Sequence, residues 1–255
     1  MHLGNGAITP ECALVTLAAS GAGLAAAAWA EGPAWNRSRL GQAAAWGTLV
    51  FGAQAINVPL GWGTSAHLVG GVLLAVVLGP GLAAWTMAAV LALQALWLGD
   101  GGVWALGANI LNMGLVPAAV VAGARGRLGV RGGRGERLGW SVAAGVAVVL
   151  AAGLIVVETA AFRAGSELAA WPPFAAAMIG IHLLVGVFEG FCTWFLLAVM
   201  AARADRLPAR LQWAPILGVG LLLVVAGLWL GATSELPDGY ERAAGVSGLA
   251  RILFE

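Results

Sequence analysis

The first two residues of the chain form a potential metal chelate. Met1 and His2 offer three nitrogen atoms in succession: the terminal amine, the amide nitrogen of His2 and Nδ1 of its ring. Their chelate rings on a metal ion have five and six members, so the three donors lie in one plane. Such coordination suits Ni²⁺ and Cu²⁺, and Co²⁺ less strictly. We expect Met1 to be retained, because the large His2 side chain disfavours its removal.

A fourth nitrogen donor is predicted at His67. This residue follows a polar, glycine-rich turn at residues 61–65, and the topology given below places it on the same side of the membrane as Met1 and His2. A Met-His start and a single loop histidine are each common by chance. Their shared side makes Met1, His2 and His67 the candidate metal ligands, and metal binding should release protons and weaken at low pH.

Few other ionisable residues lie in the apolar segments, and such residues are functional candidates by default. His182 and Glu189 share a helix face; a structural polar seam is favoured over metal ligation, which stays open. Glu158 lies near an outer helix end, and Asn109 and Asn112 are expected to support the site by hydrogen bonds. Cys12 and Cys192 fit neither a disulfide framework nor a metal motif.

The composition predicts the elements that position these residues. Of 255 residues, 60% are hydrophobic and 10% are charged, and the net charge is +1. These values exclude a cytosolic enzyme, a nucleic-acid binder and a disordered linker, and they predict an all-α membrane bundle of seven to eight helices. Eight apolar segments approach membrane length: 11–30, 41–58, 66–79, 81–98, 103–123, 139–162, 174–201 and 212–231.

The third segment is short and follows the 61–65 turn, and a broken apolar segment often marks a binding site.

Ten of the 13 arginines lie in three connections, 31–40, 124–138 and 202–211. The positive-inside rule makes these connections cytoplasmic and places both termini outside. In the first segment, small residues recur at positions 18, 22 and 26; packing within the chain is favoured over a partner subunit.

The chain resembles the CbiM/NikM family, the substrate-binding membrane component of energy-coupling-factor transporters for cobalt and nickel. The resemblance lies in residues 1–13 (MHLGNGAITPECA), 63–71 (GTSAHLVGG), 91–114 (LALQALWLGDGGVWALGANILNMG) and 181–194 (IHLLVGVFEGFCTW). It implies a square-planar site for Co²⁺ or Ni²⁺, the transported substrate, made by Met1, His2 and His67. It also implies a metal-capture domain at residues 1–201, followed at 202–255 by one more helix and a short tail.

The same resemblance implies partners and a location. A transmembrane T component (CbiQ/NikQ-like) and ATPase subunits (CbiO/NikO-like) would supply the energy, since the chain has no Walker loop. The location would be the bacterial cytoplasmic membrane. Residues 234–244 (SELPDGYERAA) resemble the PDGLE motif of the accessory N component, but Tyr240 replaces a leucine and the N-like part looks truncated.

Two other functions stay open on the sequence. An intramembrane metalloenzyme would use His67, His182 and Glu189, although the chain has no HExxH motif. A metal channel or ion-coupled carrier would pass metal without any ATPase. The sequence does not separate nickel from cobalt, or a supply for cobalamin biosynthesis from a supply for a nickel enzyme.

Overall fold

The fold is a bundle of α-helices, as predicted. The computed structural model describes residues 2–32, 35–61, 63–128, 133–163, 170–203, 213–229 and 236–254. The first six helices are α1 (Pro10–Glu31), α2 (Arg37–Gln54), α3 (Gly71–Leu78), α4 (Pro80–Leu93), α5 (Leu106–Ile110) and α6 (Val116–Leu128). The others are α7 (Arg134–Ala160), α8 (Trp171–Arg203), α9 (Ala214–Trp229), α10 (Gly239–Ser247) and α11 (Ala250–Phe254).

Two features interrupt the helices. A hairpin of β1 (Val58–Gly61) and β2 (Thr64–Ala66) joins α2 to the loop before α3. π-helical turns at Gln94–Leu98 and Leu111–Leu115 continue α4 and α5. Pro117, in α6 just after the second turn, cannot donate a hydrogen bond to the carbonyl of Met113 within that turn. π-Helical turns often accompany functional sites.

Among the described residues, five helical segments are long and apolar enough to cross a membrane. They are Pro10–Glu31, Pro80–Leu98, Leu106–Leu128, Arg134–Ala160 and Trp171–Ala202. The chain is therefore a multi-pass membrane protein. The predicted segments 41–58 and 212–231 correspond to α2 and the 16-residue α9, which do not belong to these five, so a total of seven to eight crossings stays a prediction.

The third predicted segment, 66–79, is not a helix of membrane length. Only the eight residues of α3 are helical, which gives about 12 Å of helix against a hydrocarbon core of roughly 30 Å. Gly79, at φ 88°, ends α3, and Pro80 begins α4. Residues 67–70, between β2 and α3, are irregular and all buried, and irregular backbone of this kind requires partners from the surrounding helices.

Glycines set the closest helix contacts. A Cβ added to Gly145 of α7 would lie 3.1 Å from the carbonyl oxygen of Gly186 of α8. One turn further along α8, the Ser141 hydroxyl donates to the Gly190 carbonyl at 2.8 Å. Gly52 of α2 meets Gly220 of α9 in the same manner. A Cβ added to Gly52 would lie 2.7 Å from the carbonyl oxygen of Gly220. Small residues allow this approach.

The small residues of α1 do not pack as the sequence predicted. Ala18, Ala22 and Ala26 are exposed, so the favoured interpretation of packing within the chain is wrong. The opposite face is buried instead, through residues that recur every four positions: Cys12, Thr16, Ser20 and Leu24. The Ser20 hydroxyl donates to the Gly107 carbonyl at 2.5 Å, and Gly107 allows α5 to lie directly against the backbone of α1.

Candidate metal centre

The rings of His2 and His67 lie side by side inside the bundle. Their centroids are 5.1 Å apart and their planes differ by 17°. The His2 side chain, 6% exposed, and His67, 5% exposed, are both buried. With metal–nitrogen bonds of about 2 Å, an ion between two imidazoles holds the centroids roughly 4–6 Å apart, a range that includes the spacing of these two rings. Met1 lies outside the described residues.

The hydrogen bonds of His67 leave Nε2 available to a metal. Nδ1 of His67 is 3.1 Å from the Leu68 carbonyl oxygen, so the ring donates through Nδ1 and Nε2 carries the lone pair. Metal-binding histidines usually have this second hydrogen bond, which fixes the tautomer and the ring orientation.

His2 faces a carboxylate that the sequence analysis did not single out. Its Nδ1 is 3.3 Å from Oδ1 of Asp100, while its Nε2 is buried and has no hydrogen-bond partner among the described residues. In the predicted chelate Nδ1 binds the metal, so the ring must exchange Asp100 for the ion. The signal for Asp100 was its place in the Gly99–Gly102 turn, which lies in a segment that resembles the family.

The electrostatics of the centre favour a cation. Burial, and then nearby positive charge, lower the pKa of His67 to about 3, so the ring is neutral at pH 7. Partial burial alone would raise the pKa of Asp100, but the hydrogen bond and the charge of His2 lower it to about 2. Asp238 is similar: its pKa lies below the ordinary value despite burial, because nearby positive charge and the backbone N–H of Glu241 stabilise the carboxylate.

Asn109 holds the N-terminal segment by its backbone. Its side-chain carbonyl accepts from the Leu3 N–H at 2.9 Å, and its side-chain amide donates to the Leu3 carbonyl at 3.0 Å. The backbone N–H of Gly102 donates to the same carbonyl at 2.8 Å. Leu3 is fully buried, so its polar groups need these partners. Asn109 thus fixes the residue next to His2, while its predicted role in supporting a metal site stays a prediction.

Further contacts fix the rest of this segment. The backbone N–H of Trp104 donates to the Asn5 side chain at 3.2 Å, and the Arg163 guanidinium donates to the Gly6 and Ala7 carbonyls at 3.0 and 3.2 Å. Gly102 lies so close that an added Cβ would be 2.4 Å from the Asn5 nitrogen. Residues 2–7 are therefore seated between the 99–105 turn and the end of α7.

The C-terminal tail packs on the loop that carries His67. The Ser65 hydroxyl donates to the Leu236 carbonyl at 2.7 Å, and the Ser65 backbone N–H donates to the Pro237 carbonyl at 2.9 Å. Asp238 caps α10 by accepting from the Glu241 N–H at 2.9 Å. The tail, whose role the sequence left in doubt, is therefore a structural part of the wall around the candidate centre.

Tyr240 and Gly239 anchor the tail to α8. The Tyr240 ring is buried and meets Phe174 edge-to-face, with centroids 6.2 Å apart. A Cβ added to Gly239 would lie 2.8 Å from Cε1 of His182. His182 and Gly239 line one small cavity together with His67, and Nδ1 of His182 is 2.7 Å from the Met178 carbonyl.

The other polar candidates serve the bundle. Glu158 accepts from the Asn112 amide at 2.6 Å, and Glu189 accepts two backbone N–H groups of the His67 loop. Among the described residues, no three His, Cys, Asp or Glu side chains lie close enough together to hold a metal ion. His67, His182 and Glu189 therefore do not assemble the ligand set of the metalloenzyme alternative.

Comparison with known proteins gives consistent matches. Residues 2–207 match the profile of the CbiM family, described as a cobalt uptake substrate-specific transmembrane region. A fused nickel transport protein NikMN of Rhodobacter capsulatus is 31% identical in an alignment that covers 90% of this chain and 72% of the relative. A cobalt transport protein CbiM of Sorangium cellulosum is 32% identical over 174 residues, 64% of this chain and 73% of the relative.

A solved structure is also similar. The crystal structure of a truncated transition metal transporter aligns with a TM-score of 0.68 and 28% sequence identity, and the alignment covers 80% of this chain and 99% of that one. The fold and the sequence thus point to the same group of metal transporters.

Proposed function

The chain belongs to the CbiM family of cobalt-uptake membrane regions, and from this premise we propose that it captures Co²⁺ or Ni²⁺ as the substrate-binding membrane subunit of an uptake transporter. The observation that carries the proposal is the pair of buried rings, His2 and His67, side by side. His67 is neutral and presents Nε2, the state in which imidazole binds a metal.

The proposed ligands are the Met1 amine, the amide nitrogen and Nδ1 of His2, and Nε2 of His67. The arrangement of the described residues supports this set, because Leu3 directly follows His2 and Asn109 holds the backbone of Leu3 in place. Mg²⁺ and Ca²⁺ prefer oxygen ligands and larger coordination numbers, so four nitrogen donors in a plane would exclude them.

Binding replaces Asp100 by the ion at His2 Nδ1. The carboxylate oxygen Oδ1 of Asp100 lies 3.3 Å from this nitrogen. Asp100 and Asp238 place negative charge beside the centre, which raises the local concentration of cations. The two carboxylates would thus attract the ion, whereas the nitrogen donors would select it.

Release into the cell requires energy from other chains. A chelate with four nitrogen donors releases its metal ion slowly. The sequence contains no Walker loop that would bind ATP. We therefore assign energy coupling to a T component (CbiQ/NikQ-like) and ATPase subunits (CbiO/NikO-like), with an N component as a further partner. The arginine distribution supports a cytoplasmic-membrane location with the N-terminus outside, so the metal enters the site from the outer face.

The test is metal content of protein with and without an extended N-terminus. Untagged protein purified in detergent should hold one Ni²⁺ or Co²⁺, and a planar Ni²⁺ complex should be yellow and diamagnetic. One extra residue before Met1 moves the amine away and should abolish binding, and His67→Ala should weaken it strongly with the fold retained.

Two outcomes would contradict the proposal. Unchanged affinity in the extended protein removes the amine from the ligand set, and unchanged affinity in His67→Ala removes the second imidazole. His182→Ala is the comparison variant and should lower thermal stability more than metal content. Metal flux into liposomes by this chain alone would favour the channel or carrier alternative.

A further inference from the structure

Two helices hold the backbone immediately after His67. The Val69 N–H donates to Oε2 of Glu189 and the Gly70 N–H donates to Oε1, both at 2.7 Å. From the other side, the Gln54 side-chain amide of α2 donates to the Val69 carbonyl at 2.8 Å. Glu189 lies on α8 and is 1% exposed, so α8 and α2 together hold one short stretch of loop.

The start of α3 explains why the loop needs a partner from another helix. The first N–H groups of a helix have no partner within it, and a Ser, Thr, Asp or Asn usually caps them. Here the residue before α3 is Gly70, in the left-handed region at φ 77° and without a capping side chain. Glu189 instead accepts the N–H groups of Val69 and Gly70, which lie directly before the helix, and a carboxylate suits the positive end of a helix.

The same contacts lead directly to the metal-binding ring. The N–H that Glu189 accepts and the carbonyl that faces His67 belong to one peptide unit, Leu68–Val69. On one side of this peptide, the Val69 N–H meets Glu189 at 2.7 Å. On the other side, the Leu68 carbonyl oxygen is 3.1 Å from Nδ1 of His67. Glu189, the peptide and the imidazole thus form one hydrogen-bonded series.

We propose that Glu189 is a positioning residue for the metal, which acts on His67 through the Leu68–Val69 peptide. By fixing this peptide plane, Glu189 keeps the carbonyl aimed at Nδ1, so Nε2 stays unprotonated and points to the ion. Hydrogen bonds in series polarise one another, so the carboxylate also makes the carbonyl a better acceptor and the ring a stronger donor to the metal. The proposal rests on the proposed function, in which His67 is a ligand.

Both oxygens of Glu189 are used in this role. Each accepts one backbone N–H of the loop, so the carboxylate is directed at the loop backbone. A group that orients a metal-binding histidine typically changes affinity by 10- to 100-fold when it is removed. The role differs from general stabilisation of the bundle, because it predicts a change in the bound metal itself.

The experiment compares Glu189→Gln with wild type and with Ser141→Ala. Glutamine keeps one acceptor oxygen and turns an amide N–H₂ toward the second backbone N–H. Ser141→Ala is the matched control, since it removes a hydrogen bond to Gly190, the neighbour of Glu189 on α8, without touching the loop. The measurements are the Ni²⁺ dissociation rate after addition of excess EDTA, the d–d absorption band of bound Ni²⁺, and the melting temperature without metal.

Glu189→Gln should release Ni²⁺ at least about tenfold faster and shift the d–d band, while Ser141→Ala keeps the wild-type rate and band. If Glu189→Gln does not fold, Glu189→Asp decides, because it keeps the carboxylate one methylene short of the loop. A wild-type rate and band in the folded variant would overturn the proposal, and so would equal acceleration in Ser141→Ala. Wild type that binds neither Ni²⁺ nor Co²⁺ would instead refute the proposed function.

Discussion

Gly102 gives the sharpest test of how the N-terminal segment is seated. A Cβ at this position would lie 2.4 Å from the Asn5 nitrogen, 2.6 Å from its Oδ1 and 2.6 Å from the Gly4 carbonyl carbon. Ordinary contact between such atoms is about 3.5 Å, so the segment must retreat by roughly 1 Å. The φ of Gly102 is not positive, so alanine adds bulk without backbone strain.

Gly102→Ala should therefore weaken metal binding more than it destabilises the fold. A binding site needs its ligands held within about 0.5 Å, and a shift of the segment also pulls Leu3 away from the Gly102 N–H. We expect a loss in Ni²⁺ affinity of about 10- to 100-fold and a cost in unfolding free energy of about 1–3 kcal/mol from overpacking. Competition titration with a chromophoric chelator gives the affinity, and a metal-free melt gives the stability.

The matched control is Gly4→Ala, in the segment itself, where an added Cβ meets nothing within 4 Å. This variant should bind Ni²⁺ like wild type. Wild-type affinity and absorption spectrum in Gly102→Ala would refute the reasoning, since the segment would then tolerate displacement. Equal losses in both variants would refute it in another way, because bulk at position 102 would not be the cause.

Three further predictions concern the tail, the segment and pH. Gly239→Ala should force α10 away from His182 and expose the tail to limited proteolysis. Gly245 lies on the same helix with open space around it, so Gly245→Ala should not increase cleavage. Equal cleavage of the two variants would contradict the prediction. Asn109→Ala leaves the buried Leu3 N–H without this acceptor, which should lower the free energy of unfolding by about 1–3 kcal/mol, and it should also weaken Ni²⁺ binding. A metal-free melt measures the stability and a titration measures the Ni²⁺ affinity. An unchanged Ni²⁺ affinity would show that Asn109 does not support the site. In the folded protein the pKa of His67 is depressed to about 3, so burial of the neutral ring has no protonation cost above pH 6.5, the ordinary pKa value. As the pH falls from 6.5 toward 3, the free energy of unfolding should decrease by up to about 1.4 kcal/mol per pH unit. Melts of metal-free protein measure this loss, and an equally steep loss in His67→Gln would assign it to other groups.

The sequence predicted the helical bundle and the approximate position of most apolar helices, because apolar length and arginine placement are local signals. Segment 66–79 was harder, since eight helical residues and an irregular loop have the same hydropathy as a short helix. The glycine pair at 70–71 and the Gly79-Pro80 step were the available signs. The loop stays buried only because Gln54 and Glu189 supply hydrogen bonds from α2 and α8, and partners so distant in the chain leave no local pattern.

The candidate centre was predicted in the same uneven way. His2 and His67 could be singled out by their chemistry, and the prediction that Met1 completes the ligand set stays untested. Asp100 was missed because a single aspartate in a glycine-rich turn is usually solvated. The tail was judged a truncated remnant, since its contacts with Ser65 and His182 join positions more than 50 residues apart and depend on tertiary packing alone.

The contacts around the centre share one property, which follows from the kind of ligand the site uses. A site of three or more side chains can be built on rigid helices, but here two of the proposed donors are an amine and an amide of the main chain. The protein must therefore hold backbone in place at a depth where no helix provides it. Asn109 does this for Leu3, Glu189 and Gln54 do it for Val69, and each uses a side chain from a helix to replace the hydrogen bonds that a regular element would supply. Metal affinity should accordingly depend on these helices as much as on the ligands.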